Sequence, residues 1–257
     1  MKHGFLDSTS GLDSPIHRLE ARAKIVAVLA AVVICVSTPP TAYAAFGAYF
    51  ALAAALLALS RLPAGFVLRR LLMIVPFVLL VAAFLPFLKA DAVGGGYSLG
   101  LGGLAVSRGG LLVFWNTAAK ASFGILMIVL LSGTTPFPQL LQGLRRLRCP
   151  DVVVMILSFT YRYLFVLTDE VLRLKIARDA RGYRGRWLWQ ARTIGQMIAV
   201  FFLRSYARAE RIYLAMISRG YDGRYAYLPA ARLAGRDTVF AAAVIGLMLT
   251  ARLALKG

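Results

Sequence analysis

The chain reads as an all-α polytopic membrane protein with about five transmembrane helices and a cytoplasmic helical domain. Three observations carry that class. Of 257 residues, 60% are hydrophobic, and the mean hydropathy is +0.71, so several stretches are apolar enough to be bilayer spans rather than soluble core. The net charge of +19, with a pI near 10.8, comes mostly from arginines lying between those stretches, as cytoplasmic loops of membrane proteins require. Finally, the block from Thr134 to Asp237 holds 18 of the 30 basic and seven of the 11 acidic residues, which suits a water-facing domain. Soluble nucleic-acid binders are also basic, but they lack several apolar runs of span length. No nucleic acid is expected as a partner.

Residues 1 to 23 form a polar, cytoplasmic N-terminal segment without the basic region, apolar core and cleavage site of a signal peptide. Ser14 and Pro15 would open a helix running through His17, Arg18, Arg22 and Lys24 into the first apolar run, residues 25 to 37, which Pro39 and Pro40 end. At about 1.5 Å per residue that run covers about 20 Å, against about 30 Å of hydrocarbon. It must therefore tilt, extend into its basic flank or be shielded by protein. Residues 41 to 60 form a second span, rich in small residues that allow close packing.

Arg61, Arg69 and Arg70 bracket a short turn with Pro63 and Gly65, and residues 71 to 88 form a third span that Pro76 and Pro86 can kink. Beyond Asp91, a glycine-rich link from Gly94 to Gly103 is poor in charge and suits an outer hairpin. Residues 111 to 132 form the fourth span and contain Lys120, which snorkels or faces the bundle more cheaply than it serves chemistry. Spans one to four thus occupy residues 24 to 133. The Arg-rich domain runs from 134 to 237; its apolar runs, Val152 to Leu157 and Ile198 to Leu203, are too short to cross a bilayer. Ile198, Phe202, Tyr206, Ala209, Tyr213 and Met216 recur at helical spacing as a core face, opposite Arg204, Arg208 and Arg211. Residues 238 to 257 carry the last span, which puts the N-terminus inside and the C-terminus outside.

Within the Arg-rich block a ten-residue pattern occurs twice. Ala177 to Arg186 and Ala215 to Arg224 both spell A-x-x-x-R-G-Y-x-G-R, with six identical positions and an offset of 38 residues. Each follows a long segment of helical periodicity, and glycine most easily adopts the left-handed conformation that ends a helix. Arg181 and Arg219 would then sit at two helix tips. A single arginine there merely complements the helix dipole; two matched copies point to guanidiniums aimed at a shared acidic partner.

Reactive constellations are missing from the sequence. It has no H-E-x-x-H, no G-x-S-x-G and no G-x-x-x-x-G-K-[ST] loop for ATP. Its two histidines, His3 and His17, lie near the N-terminus, and Cys35 and Cys149 have neither metal-ligand spacing nor a disulfide framework. Asp169 and Glu170 are the one adjacent acidic pair, placed to bond Arg173 along a helix.

Taken together, these residues resemble the T component of energy-coupling-factor transporters, the membrane subunit that couples two ATPases to a substrate-binding membrane protein. The match rests on Ala180-Arg181-Gly182 and Ser218-Arg219-Gly220, similar to the family's paired Ala-Arg-Gly motifs, with Tyr183 and Tyr221 supporting. It rests also on Ser14 to Lys24, similar to S-P-x-H-x-L-D-P-R-x-K with Glu20-Ala21 in place of Asp-Pro, and on Thr134-Thr135-Pro136 leading to Leu144, Leu147 and Pro150. The R-G-Y form looks most like the Q-type subunits of cobalt and nickel importers.

The resemblance implies a non-catalytic coupling subunit in the cytoplasmic membrane of a prokaryote. It implies docking of both motifs into two ATP-binding-cassette subunits, a separate membrane subunit for the substrate, ATP and magnesium on the partners, and no cofactor or metal on this chain. Two other classes compete with it. A membrane enzyme acting on a lipid or prenyl phosphate would need Asp169 and Glu170 as a metal-binding pair, and a passive anchor would make no demand on Arg181 or Arg219.

Overall fold

The computed structural model describes residues 14–82, 96–98, 105–183, 187–223 and 234–254. Among them are eight helices: α1 (Ala21–Val36), α2 (Tyr43–Ser60), α3 (Ala64–Ala82), α4 (Arg108–Thr134), α5 (Phe137–Arg146), α6 (Asp151–Ala180), α7 (Trp187–Ile217) and α8 (Gly235–Ala254). Two three-residue strands, β1 (Gly96–Ser98) and β2 (Ala105–Ser107), pair antiparallel with Tyr97 opposite Val106. They fall in the glycine-rich link and are the exception to an otherwise helical chain. The chain divides into two compact units, residues 2–147 with 231–257, and residues 148–230.

The first unit is the helical bundle. α1 packs against α4, α5 and α8, α2 against α4 and α8, and α3 against α4. Small residues let the backbones approach: Ala31, Ala45 and Ala53 are fully buried. Aromatic rings fill the space beside them, with Tyr49 and Phe46 centred 6.1 Å apart and Tyr49 and Phe123 5.9 Å apart. The Tyr49 hydroxyl lies 3.1 Å from Thr38 Oγ1, so its polar end is also satisfied.

Several boundaries differ from the sequence expectation. The first helix does not open at Ser14 and Pro15. Ser14 Oγ lies 2.7 Å from His17 Nδ1, and the Ser14 carbonyl accepts the His17 N–H at 3.0 Å, closing a turn. Glu20 is extended, its N–H donating to the Asp237 carboxylate, and the helix starts at Ala21. α3 begins at Ala64, so Arg69 and Arg70 lie inside it rather than in the turn. Arg70 stacks over Phe66 at 4.4 Å and donates to Ser132 Oγ. Pro76 sits within α3, while Pro86 lies outside the described residues. α4 extends the fourth span at both ends.

α1 has 16 residues, about 24 Å of helix. Its C-terminal carbonyls are covered by cations: Lys120 Nζ donates to Val36 O at 2.8 Å and Arg252 to Ser37 O at 3.0 Å. Lys120 is therefore a helix cap, favoured by the negative end of the helix dipole, and serves the bundle.

The second unit holds α6 and α7 as an antiparallel pair, the start of α6 lying beside the end of α7. Near one end the Tyr221 hydroxyl donates to Met155 Sδ at 3.1 Å, and midway Arg204 bonds Glu170 at 2.6 Å. Between the helices lies an apolar cavity of about 400 Å³ that Phe159, Tyr163, Ala209, Ile212 and Met216 help to line. Ile198, Phe202 and Tyr206, expected to face a core, are instead more than 60% exposed. A pair of helices can bury only one stripe of each. α6 also differs from expectation: its apolar residues join into one 30-residue helix that meets the length and hydropathy of a span, as do α2, α8 and residues 112–134 of α4.

Candidate functional site

Both R-G-Y sequences fold as helix ends. Ala180 is the last residue of α6, Arg181 its cap, and Gly182 follows with φ +69°. The Arg181 N–H donates to Arg178 O and the Gly182 N–H to Asp179 O, each at 3.1 Å. At the second copy Gly220 has φ +81°. Its N–H donates to Ile217 O at 2.9 Å while the Tyr221 N–H reaches Met216 O at 3.1 Å, the double bond pattern of a Schellman ending. Ser218 Oγ turns back to Ala215 O at 3.0 Å, using a carbonyl the helix leaves open.

The tyrosines fold back against their own unit. Tyr183 is half-buried, with the Arg178 guanidinium 5.5 Å from its ring centre, and Tyr221 is half-buried with its hydroxyl on Met155. Arg178 also holds Asp179 by two bonds of 2.7 and 2.9 Å, which occupies the carboxylate two positions before Arg181 in the chain. Arg181 and Arg219 are both exposed, and neither side chain makes an ion pair or hydrogen bond to a described residue. Each tip therefore presents a charged, planar donor set with no partner among the described residues.

The structure does not bring the two arginines together. Arg181 and Tyr183 line a cleft of about 680 Å³ with Thr193, Gln196 and Met197 near the start of α7, whereas Arg219 follows the end of α7. About 20 residues of helix at about 1.5 Å each separate those levels, roughly 30 Å. The two tips are therefore separate surfaces and not one site.

The acidic pair is also differently placed. Glu170 bonds Arg204 on α7, not Arg173 on its own helix, and among the described residues no group of three His, Cys, Asp or Glu side chains could hold a metal ion. The roles of Arg178 and Met155 were not legible: Met155 meets Tyr221 across 66 positions, and no local spacing announces it.

Residues 13–228 match the family described as cobalt transport protein. The chain is 37% identical over 111 residues to the nickel permease LarQ of Lactiplantibacillus plantarum, covering 40% of this chain and 38% of that one. It is 34% identical over 128 residues to the cobalt transport protein CbiQ of Rhodobacter capsulatus, covering 49% of each. The energy-coupling factor transporter transmembrane protein EcfT of Listeria innocua matches at 28% over 222 residues, 82% of each chain. In the first two of these matches, the aligned part is about half of the relative's length or less.

Proposed function

The chain belongs to the cobalt transport protein family, and we propose that it is the transmembrane coupling subunit of an ATP-driven importer of the energy-coupling-factor type. Cobalt is the proposed cargo and nickel the other choice, since a cobalt transport protein and a nickel permease stand among its relatives. Two ATP-binding-cassette subunits hold ATP and magnesium, a separate membrane subunit binds the metal, and this chain carries motion between them without a cofactor or catalytic group. It sits in the cytoplasmic membrane of a prokaryote with its N-terminus inside.

The observation that carries this reading is the pair of exposed guanidiniums, Arg181 and Arg219, without a partner among the described residues, on two capped helix ends roughly 30 Å apart along α7. Each enters an acidic recess on one ATP-binding subunit, where multidentate, desolvated contacts are stronger than surface ion pairs. When those subunits close on ATP the tips are displaced relative to one another. α6 and α7, each about 45 Å long, carry that displacement as levers. Their apolar faces, open at Ile198, Phe202 and Tyr206, suit a hydrophobic membrane partner, and the alanine-rich bundle helices allow a neighbour to slide.

The test is to purify the tagged chain from its native membranes as wild type, Arg181→Glu and Arg219→Glu. The wild type brings an ATP-binding protein and a second membrane protein, and each variant loses ATP-binding subunit. Identical partners in all three samples would sink the proposal and leave the tips as capped helix ends.

A further inference from the structure

The second unit is joined to the bundle by two covalent links, one after α5 and one before α8. Both links are tied to one short segment, residues 14–24, through a buried polar cluster. Lys24 and Asp237 are the two buried charged side chains among the described residues. Lys24 Nζ donates to Thr134 O at 3.1 Å, to Thr135 Oγ1 at 3.2 Å and to His17 O at 3.3 Å, so all three ammonium protons are used. It thereby fastens the N-terminal segment to the joint between α4 and α5.

Asp237 fastens the same segment to the link before α8. Its Oδ1 accepts the Glu20 N–H at 3.2 Å and its Oδ2 the Ala234 N–H at 2.9 Å. Glu20 then bridges both links: its N–H is on Asp237, while its Oε1 accepts from Arg146 in the last turn of α5 at 3.2 Å and from Arg22 at 2.7 Å. α5 also lies close on α1. A Cβ at Gly143 would stand 2.9 Å from Ile25 Cδ1 and 3.2 Å from Ala21 Cβ.

Burying charge is a poor way to gain stability, since apolar replacements are often neutral or better. Glu20 Oε2 is buried without a partner among the described residues, but the other bonds of the cluster are directional and hold one arrangement against deformation. Levers transmit displacement only if the points where they enter the bundle do not yield. We propose that residues 14–24 form the anchor for both links, with Glu20, Lys24 and Asp237 as positioning residues that convert tip displacement into motion of the bundle. The inference rests on the coupling reading above.

The test uses the whole complex with Lys24→Met, Asp237→Asn and Glu20→Gln, and three measurements: yield of ATP-binding subunit, ATPase rate, and uptake of cobalt(II) and nickel(II). The variants assemble and hydrolyse ATP, but ions imported per ATP hydrolysed fall about tenfold, the scale of a typical coupling free energy. The exchange Glu20→Arg with Arg146→Glu recovers part of what Glu20→Arg loses. Three results overturn the anchor: a wild-type ratio of uptake to hydrolysis, uptake and complex yield falling together at unchanged ratio, or no assembly in any variant, which assigns the cluster to folding alone. If the wild-type chain brings no ATP-binding subunit, the coupling reading itself fails, and that is seen before any variant is made.

Discussion

Gly182 and Gly220 have open space where a Cβ would stand, so what they contribute is backbone conformation and not clearance. A left-handed residue other than glycine costs about 1 to 2 kcal/mol, and the change falls on the residue next to Arg181 or Arg219, the proposed docking groups. Gly220→Ala should therefore weaken ATP-binding-subunit affinity roughly tenfold, since 1.4 kcal/mol is a factor of ten. Gly195→Ala, inside α7 and also facing open space, should leave affinity unchanged and slightly favour the helix. A titration of the purified subunits measures both. Equal affinities for the two variants would mean that the tip geometry does not matter to docking. These helix ends were legible because Arg-Gly after a periodic run states both a stop and its conformation. Lys120 was half legible: its cost in a span was plain, but its partner, Val36 O, lies 84 positions away.

At the scale of elements, α6 and α7 are held by a few specific contacts along an otherwise open pair. The Glu170–Arg204 ion pair joins them with the arginine side chain 57% exposed, and an ion pair this open to water adds little stability. Asp169→Asn with Glu170→Gln should thus keep metal uptake within about twofold of wild type. Loss of all activity in that double variant, with the complex intact, would favour an enzyme that uses the acids. Element existence was legible from periodicity, but partners were not. The apolar stripe of α7 pointed to a core because periodicity marks a face without saying what covers it, and here it is open at Ile198, Phe202 and Tyr206 while Ala209 and Met216 line the cavity against α6. The start of α1 was misplaced for a similar reason. Glu20 has a good local reason to be helical, but its N–H goes to an acceptor 217 positions away.

For the whole molecule, the question that decides the function is whether the α6–α7 pair crosses the membrane. α6 meets the length and hydropathy of a span, and if it crossed, both arginine tips could not serve cytoplasmic ATPases, because they lie at opposite ends of an antiparallel pair. Charge argues against a crossing. α7, paired antiparallel with α6, would have to cross beside it and carry Arg204, Arg208 and Arg211 into the hydrocarbon, where charged side chains are costly. Only Val154 of α6 is buried within the chain, so its apolar half needs a cover, which a neighbouring membrane subunit supplies as well as lipid does. The chain has two cysteines, Cys35 and Cys149, and replacing both with alanine gives a background for single-cysteine labelling with a membrane-impermeant maleimide. Ser98→Cys, in the hairpin, should label in intact cells. Gln139→Cys on α5 and Gln196→Cys on α7 should label only after the cells are opened, because both residues lie on the cytoplasmic side in the coupling arrangement. Labelling of position 196 but not 139 in intact cells would make α6 a true span. It would remove Arg219 or Arg181 from reach of any ATPase, and the coupling function would fall with it.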